Sequence, residues 1–348
     1  MKILGIETSC DETAASVVID GHEVISNVVN SQIDIHKAYG GVVPEVAARS
    51  HIEVITPVID QALTDANLTW SDIDAIAVTY APGLIGSLLI GTLAARTLAV
   101  IHDIPLYSIH HVEAHVYANF LGEKQPEFPF IALVVSGGHT QLMLFKDHGD
   151  YEILGQTQDD AIGEAFDKVA KILGLPYPGG PSIANAAKNG DDHKYQLPIA
   201  KVSGDYDFSF SGLKTAVLRA VQHEAEVGID FPSSQLADRL SECQKADFAA
   251  SFQRIAVETL IKKAKKAFET YNPKNIVLAG GVAANELLRQ HLLNNFGDKA
   301  IIAPSKFCTD NASMVASLGY FYSKKKQPSD PLNIEVKPSL SMLDTTWK

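Results

Sequence analysis

The feature that most constrains the fold is a layout that occurs twice in the chain. Residues 3–19 and residues 130–146 each consist of an apolar run, a short polar or glycine-rich turn, and a second apolar run. Each segment predicts a β-hairpin whose strands are buried on at least one face. Two such hairpins, one starting at position 3 and the other at position 130, indicate an internal duplication and therefore two related lobes.

Around the two hairpins, predicted strands and helices alternate. Further strands are predicted at 73–79, 106–109 and 275–278, and helices at 84–101, 111–121, 161–173, 243–271, 285–295 and 311–325. This alternation is typical of α/β lobes with mixed sheets. The proline-containing segment 122–129 predicts the boundary between the lobes. We therefore expect an N-terminal lobe over 1–121, a C-terminal lobe over 130–325, and a tail over 326–348 packed on the first lobe.

Composition is that of a globular protein, and its 348 residues are enough for two domains with sizeable cores. The most apolar stretch, 83–101, is interrupted by Gly86, Gly91 and Arg96, which favours a buried helix over a membrane span. Three scattered cysteines, and an N-terminus without a signal-peptide pattern, predict a cytoplasmic protein with no membrane contact. The formal net charge of −12 excludes nucleic-acid binding by bulk attraction, so a nucleic acid would need a local patch or a partner.

The sharpest local signal is the run HHVEAH at 110–115. On a helix, His111 and His115 are four residues apart, so their imidazoles share one face and can bind one metal ion. The other two polar side chains of the run point elsewhere. A metalloprotease helix places its glutamate directly after the first histidine, where this chain has Val112, so a protease would lack its general base. Spacing alone leaves open a structural role for the histidine pair.

A third metal ligand has to come from elsewhere in the chain. Asp310 stands in the run CTDN at 308–311, where a helix is about to begin. An aspartate at that position is also a standard helix N-cap. The spacing therefore leaves two roles open for Asp310, metal ligand or helix cap.

Glycine-rich turns form a second constellation, at 136–139 between two strands, at 280–285 between a strand and a helix, and at 178–181 before a short helix. Glycines at such places let backbone N–H groups approach a phosphate closely, and a helix start favours anionic ligands. The first two turns match neither G-x-G-x-x-G nor GxxxxGK[ST], which excludes a Rossmann or P-loop assignment.

The first hairpin turn is rich in polar side chains, namely Thr8, Ser9, Asp11, Glu12 and Thr13. Paired carboxylates beside a nucleotide can orient a metal or act as a general base. A solvated acidic turn is the alternative.

Nine motifs run in order through the chain: GIETSCDETA, VPEVAARSH, APGLIGSLLIG, HHVEAH, VSGGHTQL, DKVAKILGLPYPGGP, FSFSGLKTA, GGVAAN and CTDNASM. Together they resemble the bacterial TsaD (Gcp) family, the tRNA N6-adenosine threonylcarbamoyltransferases, over residues 1–325. The resemblance implies the α/β fold of the superfamily of actin-like ATPases, acetate and sugar kinases and Hsp70, with a nucleotide cleft between two duplicated lobes.

The resemblance also implies an activity. The threonylcarbamoyl group of threonylcarbamoyl-AMP is transferred to N6 of adenosine-37, just 3′ of the anticodon in tRNAs that read ANN codons, and AMP is released. A small-molecule kinase of the same superfamily is the alternative, but it leaves the histidine helix unexplained. A metalloprotease explains neither the duplicated hairpins nor the missing base.

By family match, the metal ligands are expected to be His111, His115 and Asp310, with Fe2+ the usual ion and Zn2+ or Mg2+ as alternatives. Asp11 and Glu12 are the candidates for orienting the adenine amine or accepting its proton. Contacts to the adenylate are expected from Val134, Val135, Ser136, Gly137, Gly138, His139, Asp167, Gly180 and Asn285. Archaeal and eukaryotic relatives carry a tyrosine ligand where Val134 stands, so we expect a more open metal site here.

The partners implied by the resemblance are tRNA, a TsaB-like paralogue of the same fold and a TsaE-like P-loop ATPase, with a TsaC-like enzyme supplying threonylcarbamoyl-AMP. Shared binding of tRNA would remove the need for this acidic chain to be basic overall. We expect the isolated chain to bind tRNA weakly and the assembly to bind it well.

Overall fold

The computed structural model describes residues 1–345 and divides into two compact units. The first unit consists of Met1–Phe128, Phe145–Glu152 and the described chain from Ile301 onward. The second consists of Pro129–Leu144 and Ile153–Ala300. The division differs from the expected boundaries for segments 145–152 and 301–325, which we expected in the C-terminal lobe. Segment 301–325 groups with the first unit because its helix packs against strands of the first sheet.

The first sheet has five strands in the order β3-β2-β1-β4-β5. Their bounds are β1 Lys2–Glu7, β2 Glu12–Ile19, β3 Glu23–Ser31, β4 Ala75–Ala81 and β5 Leu106–His110. The β1–β2 and β2–β3 pairs are antiparallel, whereas β1–β4 and β4–β5 are parallel. Strand β1 is therefore central, and the residues that follow its end at Glu7 lie at the same sheet edge as those that follow β4 and β5.

The second sheet also has five strands, in the order β10-β9-β6-β7-β8. Their bounds are β6 Phe130–Val135, β7 Thr140–Asp147, β8 Asp150–Gln156, β9 Asn275–Ala279 and β10 Ala300–Ile302. Read from β8, this is the strand order of the first sheet, and β6 pairs with β9 in parallel as β1 does with β4. The predicted α/β fold and the predicted duplication of the hairpin are confirmed.

Ten α-helices lie within residues 1–345. They are α1 Ile33–Lys37, α2 Pro44–Asp65, α3 Ile85–His102, α4 His111–Tyr117, α5 Ile162–Ile172, α6 Gly179–Ala187, α7 Ser211–Glu224, α8 Glu242–Tyr271, α9 Glu286–Phe296 and α10 Ala312–Lys325. Helices α2 and α7, like strand β3, fall in segments for which we predicted no element.

Helices cover the first sheet on two sides. On one side, apolar side chains of β1 and β4, such as Leu4 and Val78, form a core with Ile55 and Ile59 of α2 and with Ala95 of α3. Helix α10 packs against β1, β2 and β4. Covering helices on two faces explain why β1 reads as a continuous apolar run rather than an alternating one.

Helix α3 differs from its prediction as a buried helix. Its length and apolar composition are those of a helix that could cross a membrane, and 33% of its length is buried. The buried part packs against α2 and β4, while Ile85, Leu89 and Leu93 on another face are 50–60% exposed. Their spacing of four residues makes one apolar stripe on the outside of this helix.

The described part of the tail packs on the first unit. The Ser329 N–H donates to the carbonyl oxygen of Leu106 at 2.7 Å, and the Arg96 guanidinium donates to the carbonyl oxygen of Leu332 at 3.0 Å. The tail thus extends the β5 edge of the first sheet by one isolated bridge. Residues 346–348 lie outside the described chain.

Candidate functional site

Helix α4 carries the histidine pair and begins directly after β5. The side chain of His110 is its N-cap, since Nδ1 accepts from the backbone N–H of Glu113. The other ring nitrogen of His110 donates to the carbonyl oxygen of Leu340 in the tail, at 3.1 Å. Glu113 is fully buried and accepts from the Tyr322 hydroxyl at 2.9 Å. Both side chains therefore have structural partners, which leaves the other face of α4 to His111.

His111, His115 and Asp310 come together at one point, although 195 positions separate His115 from Asp310. One ligand atom from each lies within 4.8 Å of the other two. Asp310 Oδ1 is 3.5 Å from His111 Nε2 and 3.2 Å from His115 Nε2. The rings of the two histidines are 4.6 Å apart, as expected for side chains one helical turn apart, and they are nearly perpendicular.

The neighbouring residue, Asn311, takes the capping role that the sequence left open for Asp310. Asn311, not Asp310, is the N-cap of α10, because its Oδ1 accepts from the backbone N–H of Met314 at 3.2 Å. The Asn311 amide also donates to the Thr309 carbonyl oxygen at 2.7 Å, which fixes the turn. The capping role is thus filled, and the Asp310 carboxylate is directed at the histidines.

The three side chains fit a metal ion. Bonds of about 2.0–2.2 Å to imidazole nitrogen and carboxylate oxygen place neighbouring ligand atoms about 3.0–3.6 Å apart. The two observed nitrogen–oxygen distances, 3.2 and 3.5 Å, lie in that range. Both ring nitrogens of His115 are buried, and within residues 1–345 neither has a hydrogen-bond partner. A buried imidazole without hydrogen bonds is costly unless a ligand satisfies it.

Glu7, which the sequence analysis missed, supports His111 from behind. Its carboxylate is fully buried at the end of β1, and Oε2 is 3.2 Å from His111 Nδ1. Ser9 Oγ lies 3.1 Å from the same nitrogen. A carboxylate that accepts from one ring nitrogen leaves the lone pair of the other free for a metal. The signal available in the sequence was a carboxylate inside an otherwise apolar strand, which implies a buried partner.

The Glu7 carboxylate is itself satisfied by its surroundings. Oε1 accepts from the Ser9 backbone N–H and Oε2 from the Thr79 hydroxyl, both at 2.5 Å. Burial raises the pKa of Glu7, but the charge and hydrogen bond of His111 outweigh burial and lower this pKa below its usual value. Burial lowers the pKa of His111, but the charges of Asp310 and Glu7 outweigh it and raise that pKa to about 9. The site thus attracts positive charge strongly.

Asp11 and Glu12 lie in the first unit, at the turn between β1 and β2. Asp11 is 8% exposed, and its carbonyl oxygen accepts from the Gln32 N–H at 3.0 Å. Glu12 Oε1 accepts from the Ser31 hydroxyl at 3.1 Å. Burial and the negative charges of Asp310 and Asp11 raise the pKa of Glu12 to about 9. The turn is therefore not the solvated acidic turn that the sequence left open.

The turn at 136–139 lies in the second unit, and two hydrogen bonds between Ser136 and His139 close it. The Ser136 N–H donates to the His139 carbonyl oxygen at 2.8 Å, and the His139 N–H donates to Ser136 Oγ at 3.0 Å. Gly137 and Gly138 are exposed, and a Cβ built at either would meet no heavy atom within 4 Å. The backbone of this turn is open to a ligand.

Val134 and Val135, two other predicted adenylate contacts, have fully buried side chains in the core of the second sheet. They can reach a ligand only through backbone atoms. Behind Val135 lies Gly280, whose φ of +91° favours glycine and where a Cβ would lie 2.4 Å from the Val135 carbonyl oxygen. This close contact explains the first glycine of the GGVAAN motif.

Of the remaining predicted contacts, Gly180 and Asn285 lie at helix starts of the second unit, and Asp167 lies within α5. Asp167 accepts from the Gly179 N–H at 2.6 Å, at the beginning of α6. Gly180 beside it has open space where a Cβ would be. Asn285 is the N-cap of α9, and its amide donates to Gln253 Oε1 at 3.0 Å. The turn at 136–139 and these three residues thus belong to one unit, and the metal ligands belong to the other.

Comparison with known proteins gives one consistent result. The sequence pattern described as "TsaD: tRNA N6-adenosine threonylcarbamoyltransferase" matches residues 23–317. A protein of that name from Bacillus cereus is 51% identical over 337 residues, which is 95% of this chain and 94% of the relative. Another from Dehalococcoides mccartyi is 51% identical over 343 residues, covering 98% of this chain and 99% of the relative.

Solved structures agree on the fold at much lower identity. The crystal structure of HypF from T. kodakarensis matches with a TM-score of 0.63 and 14% identity, over 93% of this chain and 48% of that one. Component A of (R)-2-hydroxyglutaryl-CoA dehydratase from Acidaminococcus fermentans matches with a TM-score of 0.51 and 17% identity, over 93% and 100%. At such identities the likeness concerns the fold alone.

Proposed function

The chain belongs to the TsaD family of tRNA N6-adenosine threonylcarbamoyltransferases, and we propose that the His111–His115–Asp310 centre and the turns at 136–139, 178–181 and 280–285 carry its reaction. It is a transferase that modifies tRNA in the biosynthesis of threonylcarbamoyladenosine. The alternative of a small-molecule kinase is not favoured, because relatives that match nearly the whole chain bear the transferase name.

We propose threonylcarbamoyl-AMP as donor and N6 of adenosine-37 as acceptor. The amine attacks the carbamoyl carbon of the mixed anhydride, a C–N bond forms, and the bond from that carbon to the phosphate oxygen breaks. AMP leaves with the bonding electrons, and one proton of the amine passes to a base. Since AMP is a good leaving group, the enzyme mainly has to position both reactants and stabilise developing charge.

The open turn at 136–139 and the α6 start at Gly180 are the proposed contacts for the adenylate. Backbone N–H groups of glycines can approach a phosphate without side-chain interference, and Gly137 and Gly138 have that space. Val134 and Val135 would take part through their backbones. Asp167 and Asn285 already hydrogen-bond to helix starts, so we propose that they shape the pocket as well as contact the ligand.

Membership of the family implies a divalent metal, and we propose Fe2+ at His111, His115 and Asp310. Two imidazoles and one carboxylate with open positions form the donor set typical of non-haem Fe2+ sites. When bound, the ion supplies Lewis-acid stabilisation of the negative charge that develops during acyl transfer. Glu7 would hold His111 in the tautomer that ligation requires.

Asp11 and Glu12 are the proposed groups for the acceptor amine. Glu12 is anchored through Ser31, so we propose that it orients the amine. Asp11 is the proposed acceptor of the amine proton. Variants Asp11→Asn and Glu12→Gln, assayed separately at saturating substrates, test this assignment, and near-wild-type turnover in both would contradict it.

The observation that carries the proposed function is the convergence of two histidines and an aspartate that its neighbour Asn311 frees from capping. The test is reconstituted transfer from threonylcarbamoyl-AMP to a tRNA transcript, with the modified nucleoside measured by mass spectrometry. His115→Ala and Asp310→Ala should each lower turnover at least about 100-fold, as expected for the loss of a metal ligand.

The matched control is His193→Ala. The His193 side chain is 72% exposed in a loop of the second unit. Its removal should leave turnover and metal content unchanged. Elemental analysis of anaerobically purified protein identifies the ion, and wild-type turnover in metal-free His115→Ala protein would overturn the proposed metal role.

We propose that this cytoplasmic chain acts with a TsaB-like paralogue and a TsaE-like ATPase, and that tRNA binds the assembly. With a net charge of −12, the isolated chain lacks the bulk attraction on which most tRNA affinity depends. A filter-binding titration should show weak binding by the chain alone and strong binding by the assembly. Equal affinities would contradict shared recognition of tRNA.

The exposed stripe on α3 is the proposed contact for the paralogue. Leu93 and Ile52 of α2 line a groove of about 490 Å³, and Ile85 and Leu89 continue the exposed apolar stripe along α3. Ridges spaced four residues apart pack well against another helix, and a paralogue of the same fold would present helices for such packing. Leu93→Glu should abolish co-elution with the paralogue, whereas Ile199→Glu, an exposed apolar residue of the second unit, should not.

A further inference from the structure

His51 in α2 contacts the polypeptide on both sides of the Asp11–Glu12 dipeptide. Its side chain is fully buried. On one side, Nε2 lies 3.0 Å from the carbonyl oxygen of Cys10. On the other side, Nδ1 lies 2.7 Å from the hydroxyl oxygen of Thr13. One imidazole ring therefore spans the dipeptide from the residue before it to the residue after it.

The partners determine the tautomer of His51. A carbonyl oxygen can only accept, so Nε2 carries the proton and donates to Cys10. Nδ1 then has a lone pair, which accepts from the Thr13 hydroxyl. A neutral ring satisfies both contacts, and burial, which lowers the pKa of His51, favours that neutral form.

Neighbouring contacts restrain the same stretch of backbone. The Cys10 carbonyl oxygen accepts a second hydrogen bond from Ser87 Oγ of α3, at 3.1 Å. The Asp11 carbonyl oxygen accepts from the Gln32 N–H, and the Gln32 side chain donates to the Ala47 carbonyl oxygen of α2 at 3.3 Å. The dipeptide is thus held by α2 and α3, and these contacts give roles to motifs VPEVAARSH and APGLIGSLLIG, which no step of the reaction uses.

A histidine that only filled core volume would not need this arrangement. Burying an imidazole costs free energy unless its nitrogens are hydrogen-bonded, and an apolar residue would fill the space more cheaply. Here the bonds of His51 go to the two residues that flank the dipeptide. A displacement of catalytic groups by about 1 Å can cost about 100-fold in rate, so a rigid ring at this place affects the reaction without touching a substrate.

We propose that His51 is a positioning residue that holds the Asp11–Glu12 dipeptide in its reactive geometry, through hydrogen bonds to Cys10 and Thr13. The proposal rests on the function proposed above for that dipeptide. It assigns no direct contact between His51 and substrate.

The test compares His51→Leu, His51→Gln and Thr13→Val in the reconstituted transfer assay, with metal content and melting temperature measured for each. His51→Leu removes both hydrogen bonds and should lower kcat about 30-fold or more, with KM for tRNA changed by no more than about twofold. His51→Gln keeps a donor that can reach Cys10 and should recover part of the loss. Thr13→Val removes only the hydroxyl and should lower kcat by a few-fold.

The matched control is His36→Leu. His36 is also fully buried, and it contacts Gln32 Oε1 and the Val43 N–H rather than the turn. We expect kcat within about threefold of wild type, because the dipeptide keeps its direct contacts. A loss as large as that of His51→Leu would mean that general loosening of the buried region, not positioning, lowers turnover.

A double-mutant cycle separates positioning from a merely structural role. If His51 acts through the dipeptide, adding His51→Leu to Asp11→Asn should lower kcat by no more than about threefold further. Fully additive losses, or unchanged kcat in folded and metal-loaded His51→Leu and Thr13→Val proteins, would overturn the proposal. Wild-type kcat in both Asp11→Asn and Glu12→Gln would instead overturn the role of the dipeptide itself, and the positioning proposal with it.

Discussion

The turns of the two duplicated hairpins stand at equivalent places and differ in what surrounds them. Each turn has four residues, 8–11 after β1 and 136–139 after β6, and the strands on both sides keep an offset of 128 positions. The first turn is enclosed: Thr8, Ser9 and Asp11 are at most 8% exposed. In the second turn, Gly137 and Gly138 are exposed, with open space where side chains would be.

The difference begins at the last residue of the preceding strand. Glu7 ends β1 and bonds to a metal-ligand candidate, His111, whereas its counterpart Val135 ends β6 with a buried apolar side chain. The same backbone frame therefore holds buried polar and charged side chains in one hairpin and two exposed glycines in the other. The two hairpins share this frame because they are duplicated. Their different residues fit the proposed roles, cation binding beside the first hairpin and anion binding at the second.

The largest expected effect comes from adding one methyl group beside each turn. A Cβ at Gly83, in the loop before α3, would lie 2.5 Å from the Ser9 backbone oxygen. Gly83→Ala should lower the free energy of unfolding by about 3 kcal/mol, because the enclosed turn has no room to yield. Gly137→Ala, the matched change in the open turn, should alter it by less than about 0.5 kcal/mol. Urea denaturation measures both, and equal losses would erase the distinction between the turns.

The next test replaces Glu7, the last residue of β1, with valine, which is the residue type that ends β6. Glu7→Val should lower the affinity of the centre for Fe2+ about 10- to 100-fold, because His111 loses the acceptor that orients its ring. The readout is competition with a chelator, which does not depend on turnover. Glu12→Gln is the comparison, since Glu12 bonds to Ser31 and, within residues 1–345, to neither histidine; it should change the affinity less than about threefold. Unchanged affinity in Glu7→Val would show that Glu7 does not support the centre.

The open turn should respond in ligand binding alone. Gly138→Ala should raise KM for threonylcarbamoyl-AMP about tenfold, because a Cβ would occupy the space where we propose that the phosphate approaches. Melting temperature should not change, since nothing of the protein lies within 4 Å of that Cβ. A KM equal to that of wild type would place the adenylate elsewhere.

The smallest expected effect is a pH dependence of stability, and it arises from the turn between β7 and β8. His148, between β7 and β8, is stacked on Phe321 and lies 2.8 Å from the Tyr117 hydroxyl. Burial lowers the pKa of His148 to about 4. The unfolded chain, with a histidine pKa near 6.5, then binds more protons between those values, so stability falls as pH falls through this window.

His148→Phe keeps the stacking and removes the proton site. The decrease in melting temperature from pH 7 to pH 5 should therefore be smaller in this variant, by about 1–2 °C, since the partly exposed ring is screened. An identical decrease in His148→Phe and wild type would show that protonation of His148 does not contribute to the loss of stability at low pH.

Helical spacing and periodicity in the sequence were enough to predict the hairpins, the histidine helix and most of the helices in the second half of the chain. They predicted these elements because each depends on residues that are close in sequence. Helix α2 was missed because its apolar residues are interspersed with polar ones and it contains Pro57, which usually ends a helix. Its buried His51 consequently had no place in the predicted site.

Where residues of one site lie far apart in the sequence, the sequence could name them only as candidates. Asp310 had two roles open, and in the structure its neighbour Asn311 caps the helix instead. Val134 and Val135 were predicted to contact the adenylate, but the structure buries both side chains in the core. Burial depends on strand order and on the helices that cover a sheet, neither of which a local pattern contains.

By itself, the sequence determined the duplicated α/β frame, the shared face of His111 and His115, and the family to which the chain belongs. Only the tertiary structure decided that Glu7 lies beside His111 and that Asp310 Oδ1 faces both histidines, and it alone supplied the contacts from which we propose that His51 holds the acidic dipeptide. The physical reason is the distance along the chain between the residues that interact. Helix and strand periodicity is set by neighbouring residues, whereas buried hydrogen bonds are made by residues that folding brings together from distant parts of the chain.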